Sequence, residues 1–414
     1  MTDRSSVGFL AQAERIGDKL CDAAQSLGTS CYWVDEVSEL RDGVSHRTQQ
    51  PVGSDLYSGT SGIALFLARL YQNTANENYR RMAESAVEYA LADLDLDDHD
   101  TYIGLYAGCA GYAYAALQVG EMVGSDRFVG PTTLIINSLQ EHTLEQQPPD
   151  IMFGIAGTIP VLLDFYRRHA QESALSLALK CGDYLIHIAR KSYAGFSWNS
   201  LYNVNVDSSH DLNGFSHGAS GIGWALLELG KFLDEQRFVN AAEEAFRFEQ
   251  SCFNAERENW PDQRSFIEPA GRYPVAWCHG AAGIGFARLR AYQLTGRQVY
   301  KNEAEAALRT TAKMLAFPAK DLHTYSVCHG IAGNSDLFVY ASQILGDSTY
   351  LETAQHKGLQ GIEEIENQNL PWPCGSMDGN ETAGLMQGLA GIGYFYLRLH
   401  DPARVPPITI ILPR

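Results

Sequence analysis

Trp277-Cys278-His279-Gly280-Ala281-Ala282-Gly283 is the stretch that decides the fold, because its Gly-x-x-Gly turn recurs along the whole chain. The first glycines of the other six turns are Gly59, Gly108, Gly154, Gly218, Gly330 and Gly388. A repeat of this length indicates a stacked or closed array of similar units, in which each unit needs its neighbours to cover its apolar faces.

Each repeat predicts a pair of helices. The turn is followed by a run that is apolar on nearly all sides, as in residues 63–71, which is typical of a helix buried on most sides. A second, more charged run, such as residues 79–91, is typical of an outer helix. We interpret each unit as a polar outer helix, a loop, a glycine turn and an apolar inner helix. The sequence therefore predicts an all-α protein, an α/α barrel (toroid) of seven inner and seven outer helices.

The repeat also favours one domain over residues 1–414 rather than several. We assign residues 1–50 to an N-terminal helical or loop extension and residues 51–412 to the barrel. Net charge is −18, from 31 basic and 49 acidic residues. Such a chain is repelled by nucleic acid and by anionic membrane surfaces, whereas a basic peptide is attracted.

The chain shows neither of two hydrophobic segments that would place it in or across a membrane. No apolar run reaches the roughly 18 residues of a transmembrane helix, and residues 1–19 lack an apolar signal core. We therefore expect no integral membrane association and a cytoplasmic location. Eight cysteines in 414 residues do not indicate a disulfide scaffold, and in a reducing compartment paired Cys and His indicate metal.

Two of the turns are preceded by a Cys-His pair. Cys278 and His279 precede one turn, and Cys328 and His329 occupy the same place before the next. Equivalent places in a closed repeat lie together on one rim, and two thiolates with one imidazole are typical of a catalytic Zn²⁺ site with an open fourth position. We predict Zn²⁺ bound by Cys278, Cys328 and His329. The alternative is that the cysteines are small buried apolar residues. We assign His279, whose neighbour Cys278 points elsewhere, to acid/base chemistry.

These motifs, together with the Gly-Leu-Ala-Gly-Ile-Gly run at residues 388–393, resemble the lanthionine synthetase C-like cyclases over roughly residues 50–412. The ending is similar to the cyclase half of the bifunctional class II synthetases, without the dehydratase half. The resemblance implies an α/α barrel with zinc, which adds a peptide cysteine to dehydroalanine or dehydrobutyrine and closes a thioether ring. It implies a dehydrated precursor peptide as substrate and a separate dehydratase as partner. Asp150 and His217 match positions that the family uses.

The mechanism that this site implies needs a nucleophile and a proton donor. A metal-bound thiolate adds to the β-carbon, and His217 or His279 then supplies the proton to the α-carbon. Asp150 orients a histidine or helps to deprotonate the thiol; the alternative is a helix N-cap. One departure from the family concerns an Arg that some members carry four residues before the first zinc Cys. Here that residue is Pro274, so the role of this Arg falls either to Arg272 or to no residue of the chain.

Three other functions stay open from the sequence alone. The first is zinc-dependent addition of glutathione or another small thiol to dehydrated proteins, for which Arg272 or Lys320 would be a basic group near the rim. The second is a non-catalytic peptide-binding scaffold with a structural zinc, which needs a fourth protein ligand. The third is a glycan-processing barrel, which needs paired carboxylates where this rim offers Cys and His.

Overall fold

The computed structural model describes residues 2–41, 44–98, 100–200, 211–264, 272–317, 324–376 and 380–413. This part of the chain contains fourteen α-helices and three antiparallel pairs of short strands. Within the same ranges, no helix combines the length and the apolar character that crossing a membrane requires.

The bounds of the helices follow the repeat. In chain order they are α1 (Thr2–Ala23), α2 (Thr60–Thr74), α3 (Glu77–Asp93), α4 (Cys109–Val123), α5 (Val129–Ser138), α6 (Ile155–His169), α7 (Glu172–Ile188), α8 (Ala219–Leu233), α9 (Gln236–Cys252), α10 (Ala281–Thr295), α11 (Gln298–Ala316), α12 (Ile331–Leu345), α13 (Ser348–Glu364) and α14 (Leu389–His400). The strand pairs are β1 (Gln25–Leu27) with β2 (Ser30–Tyr32), β3 (Val34–Arg41) with β4 (Val44–Pro51), and β5 (Arg190–Ser192) with β6 (Gly195–Ser197).

The even-numbered helices form a closed inner ring. Each begins directly after the first glycine of a Gly-x-x-Gly turn, each contacts the next, and α14 contacts α2. They are buried on nearly every side; in α2, for example, residues 60–70 are all buried. The odd-numbered helices lie outside and bury one face only. The predicted α/α barrel of seven inner and seven outer helices is confirmed.

The chain order within a repeat is as predicted: an outer helix such as α3, a loop, a glycine turn and then an inner helix such as α4. Each outer helix from α3 to α13 nevertheless packs mainly on the inner helix that precedes it, not on the one that follows. The cause is a short connection whose first residue turns the chain back through a left-handed conformation, as at Ala75 (φ 55°) and Gly296 (φ 67°). The α1 helix, from the segment that we assigned to an N-terminal extension, packs on α14 and takes the remaining outer position.

The second glycine of every turn is required by a close backbone contact. A Cβ atom there would lie 1.7–2.3 Å from the carbonyl oxygen of the residue six positions earlier, as between Gly391 and Leu385 (1.8 Å). No side chain fits at such a distance, so only glycine lets the segment before the turn cross the start of its inner helix. This crossing repeats in all seven units and brings those segments to one rim of the barrel.

The C-terminal segment is buried among inner residues of the barrel. The backbone oxygen of Ile408 accepts a hydrogen bond from the Tyr106 hydroxyl (2.6 Å), and that of Thr409 accepts one from the Trp277 indole (2.7 Å). The Thr409 hydroxyl donates to buried Asp336 (2.9 Å). Residues far apart in the repeat are therefore linked through this segment, and one of them, Trp277, is adjacent to Cys278.

Candidate active site

A closed circuit of backbone hydrogen bonds positions the site. We call it the rim ring; its members stand two residues before the first glycine of each turn and are Tyr57, Tyr106, Met152, Ser216, Cys278, Cys328 and Met386. At six of its seven steps the N–H of one member donates to the carbonyl oxygen of a neighbouring member, and at the seventh the Trp277 N–H donates to Cys328; all distances are 2.8–3.3 Å. The repeat thus places side chains fifty residues apart side by side.

The two predicted zinc cysteines meet on this ring. The thiol groups of Cys278 and Cys328 are hydrogen-bonded to each other. That hydrogen bond lowers the pKa of Cys278 and raises the pKa of Cys328, so Cys278 is the thiol of the pair that loses its proton more readily. Cys109, whose repeat has no Cys-His pair before the turn, differs: burial raises the pKa of its thiol to about 11.

Asp150 and His217 form a hydrogen-bonded pair. The Nδ1 of His217 lies 2.7 Å from Oδ2 of Asp150, and Oδ1 of Asp150 accepts the Phe153 N–H at 2.8 Å. Asp150 is fully buried. It is not the N-cap of α6, because Gly154 holds that position without a side-chain cap. Of the two roles left open by the sequence, the geometry favours orientation of the histidine.

Ring contacts extend this pair to the next repeat. The His217 imidazole stacks on Phe153 (5.7 Å between centroids) and on His279 (5.9 Å). His279 is buried, and burial together with the positive charges of Arg264 and His217 lowers its pKa to about 3. His279 is therefore neutral at pH 7 and belongs to the wall against which His217 packs.

His329, the third predicted ligand, is close to the site but does not complete it. It lines a cavity of about 450 Å³ together with Cys278 and His279. Burial lowers the pKa of His329, although a hydrogen bond to the Gly375 backbone opposes this, and a neutral imidazole is the form that binds metal. Among the described residues, no group of three or more His, Cys, Asp or Glu side chains is arranged to hold a metal ion.

The side chains of Cys278, Cys328 and His329 are nevertheless of the chemical types that bind zinc. Two adjacent cysteine side chains supply two zinc thiolates once their protons leave, as they do when metal binds. His329 is on the wall of the same cavity as Cys278, and its ring packs against Gly375, where a Cβ would lie 2.9 Å from Nε2. Glycine at this position therefore leaves space for the imidazole.

Sequence reasoning missed three residues that contact this site. The Tyr57 hydroxyl hydrogen-bonds to the Cys328 thiol. Tyr57 holds the same position in its repeat as the cysteines, so the register alone would have found it. Arg264 and its partner Asp262 line the cavity beside Cys278. No spacing indicates them, because a long loop brings them back to the rim. Arg272 also lines this cavity, and Lys320 lies outside the described residues.

Comparisons with known proteins identify the family of this chain. Residues 50–410 match the family described as lanthionine synthetase C-like protein. The lacticin 481/lactococcin biosynthesis protein LcnDR2 of Lactococcus lactis subsp. lactis is 24% identical over 387 residues, 88% of this chain. The chain spans only 38% of that relative's length.

Two further relatives place the fold. The glutathione S-transferase LANCL1 of Danio rerio is 21% identical over 372 residues, 84% of this chain and 82% of that protein. A solved structure of nisin cyclase superimposes with a TM-score of 0.64 and 19% identity, over 85% of this chain and 89% of that one. Since the family match extends over all seven glycine turns, the chain belongs to the lanthionine synthetase C-like protein family.

Proposed function

We propose that the chain is a zinc-dependent lanthionine cyclase, which adds a cysteine thiolate of a ribosomal precursor peptide to dehydroalanine or dehydrobutyrine. The observation that carries the proposal is the meeting, on one rim, of the Cys278–Cys328 pair with the Asp150–His217 pair. The first pair suits a thiophilic metal, and the second suits proton transfer. Family membership and the fold shared with nisin cyclase support a cyclase.

One group of residues in the site would activate the nucleophile, and a second group would supply the proton. Cys278, Cys328 and His329 would hold Zn²⁺, which when bound would keep the substrate thiol deprotonated at neutral pH. As the new S–Cβ bond forms, the π pair of the dehydroamino acid moves toward its carbonyl oxygen. His217 then donates a proton to the α-carbon, and Asp150 stabilises its imidazolium form through Nδ1.

The substrate follows from the chemistry, because the reaction needs a precursor peptide whose Ser or Thr residues have been dehydrated. The proposal therefore includes a separate dehydratase that prepares this peptide. It also places the reaction in the cytoplasm. A net charge of −18 favours a basic segment of such a peptide by long-range attraction.

The test is consumption of thiol on a dehydrated peptide. Cyclisation leaves mass unchanged, so residual thiols are counted by mass spectrometry after treatment with an alkylating reagent. With protein and zinc we expect the number of alkylated cysteines to fall, whereas an undehydrated peptide of the same sequence keeps all of them. If the number of free thiols stays unchanged on every dehydrated peptide tried, the result would favour a non-catalytic peptide-binding scaffold over a cyclase.

A second candidate function is the addition of glutathione to a dehydrated protein. Arg264 and Arg272 line the cavity beside Cys278, and two guanidinium groups suit the two carboxylates of glutathione. The relative named as a glutathione S-transferase supports this reading only weakly, at 21% identity. The same assay separates the two functions: with glutathione present, a cyclase leaves peptide mass unchanged, whereas a transferase increases it by one glutathione per dehydrated residue.

A further inference from the structure

An arginine of the connection between α9 and α10 lines the cavity beside Cys278. Arg264 lines it together with Cys278 and His279, and only 24% of its side chain is exposed. Its guanidinium is fixed by Asp262, with Nε at 2.9 Å from Oδ1 and Nη2 at 2.6 Å from Oδ2. The Asp262 side chain is 4% exposed, so a buried carboxylate orients this cation.

The loop itself is closed at its base. The Asp262 N–H donates to the Arg272 carbonyl oxygen at 2.7 Å, which brings the two arms of the loop together. Arg272 is exposed as a residue, whereas only 24% of the Arg264 side chain is exposed. Pro274 supplies no cation, and its carbonyl oxygen accepts Asn259 Nδ2 at 2.9 Å. Both arginines line the cavity, and Arg264 is the more buried of the two and is oriented by a buried carboxylate.

Arg264 shares a cavity wall with the centre of the site, since the same cavity is lined by Cys278, His279 and His329. A cation held on this wall is beside the residues that would bind the metal, and is therefore close to where the substrate thiolate attacks.

The proposed reaction needs a cation in this place. When the thiolate forms the S–Cβ bond, the C=C π pair moves onto the amide carbonyl and leaves an enolate oxygen. Oriented donors at a developing oxyanion are typically the largest single catalytic contribution in such reactions. The charge disappears when the α-carbon is protonated, so no oxidant or reductant is required.

We propose that Arg264 is a catalytic residue that binds the carbonyl oxygen of the dehydroamino acid and stabilises its enolate, with Asp262 as its positioning residue. This inference rests on the proposed cyclase function. It assigns the cationic role to Arg264, not to Arg272, at a site where some family members place an arginine four residues before Cys278. The electrophile and the nucleophile are then activated by different groups, Arg264 on one side and the cysteine pair on the other.

The experiment compares four variants with the wild type: Arg264→Gln, Arg264→Lys, Arg272→Gln and, as a matched control, Arg190→Gln. Arg190 is also a loop-proximal arginine bound to a mostly buried carboxylate, Asp211 at 2.8 Å. The substrate is a dehydrated cysteine-containing peptide. We measure kcat and KM for thiol consumption, zinc content and helical circular dichroism.

We expect Arg264→Gln to lower kcat about 10²–10³-fold, the typical effect of removing one oxyanion donor, with KM, zinc and helicity little changed. Arg264→Lys should recover part of the loss, since it keeps the charge but not the fork. Arg272→Gln should cost less than about tenfold and Arg190→Gln nothing measurable, because exposed charges contribute little.

Two results would overturn the assignment. If Arg264→Gln lowers kcat no more than Arg272→Gln, or only raises KM, Arg264 does not act on the transition state. If wild-type protein itself closes no ring, the cyclase function fails and this inference fails with it. The wild-type control therefore separates the two failures.

Discussion

Replacing Asp150 by Asn tests whether the Asp150–His217 pair donates the proton that the α-carbon of the substrate receives. Asn keeps an oxygen for the Phe153 N–H, which Oδ1 now accepts at 2.8 Å, so the turn before α6 should persist. Its amide nitrogen then occupies the place of Oδ2, 2.7 Å from Nδ1 of His217. An N–H donor facing Nδ1 of His217 removes the charge-assisted hydrogen bond and favours the imidazole tautomer that carries its proton on Nε2. The Asn side chain then cannot stabilise the imidazolium form of His217, as the Asp150 carboxylate can.

The expected magnitude follows from that one hydrogen bond. Hydrogen bonds to charged groups contribute about 1.5–3 kcal/mol, and about 1.4 kcal/mol corresponds to a factor of ten. Because Asp150 is fully buried, solvent cannot replace the lost carboxylate. We therefore predict that Asp150→Asn lowers kcat about 10- to 150-fold. His217→Asn removes the proton donor itself and should cost about 10²–10⁴-fold.

The assay is the initial rate of thiol loss on a dehydrated peptide, with zinc content and helicity measured on the same samples. Asp164→Asn is the matched control, since Asp164 is a buried carboxylate of α6 that binds Gln118 and Arg168 instead of a histidine. The double variant Asp150→Asn with His217→Asn should be no slower than His217→Asn alone, because both changes interrupt one proton path. Full activity in Asp150→Asn, with His217→Asn inactive, would refute the pairing as a catalytic unit.

The remaining predictions concern the metal and the scaffold. Cys328→Ala should lower zinc from one ion per chain toward none by metal analysis, whereas Cys109→Ala, which removes a buried thiol elsewhere, should keep it; equal zinc in both would exclude the proposed ligand set. Cys278→Ala should retain the helical circular dichroism signal, because the core consists of the inner helices; loss of that signal would indicate a structural zinc. Gly391→Ala places a Cβ 1.8 Å from a carbonyl oxygen and should destabilise the barrel by about 3 kcal/mol or more in denaturant unfolding. Gly130→Ala meets no atom within 4 Å and should be neutral or stabilising by up to about 1 kcal/mol; a similar cost in both would refute the steric account.

The parts of the fold that could be predicted from sequence are those with local causes. A Gly-x-x-Gly turn is required by a backbone contact six residues away, as between Gly391 and Leu385, so each turn marks the start of an inner helix without knowledge of the neighbours. It was harder to predict which inner helix each outer helix packs against. That choice depends on connections such as the one at Ala75, whose left-handed conformation is unusual for alanine. The sequence pattern does not show whether an outer helix packs on the inner helix before it or on the one after it.

The candidate site divides in the same way. Residues in register with the repeat, such as Cys278, Cys328 and His217, lie on one rim because the ring is periodic, and that register can be read from the sequence. The contact between Asp150 and His217 joins two repeats. From the sequence, Asp150 could equally have been a helix N-cap, so this contact was not predicted uniquely. Arg264 was not predicted because it lies in an irregular segment after α9, where no repeat or periodicity indicates which side chains reach the cavity.

The measurement that tests the central claim most directly is a zinc titration of ring closure. Protein freed of metal by a chelator is mixed with a dehydrated cysteine-containing peptide and increasing Zn²⁺, and thiol loss is followed at each concentration. The account predicts no ring closure without zinc, and a rate that rises linearly and levels off at one zinc per chain. Ring closure at the full rate in the metal-free protein, or a rate that never depends on zinc, would contradict it.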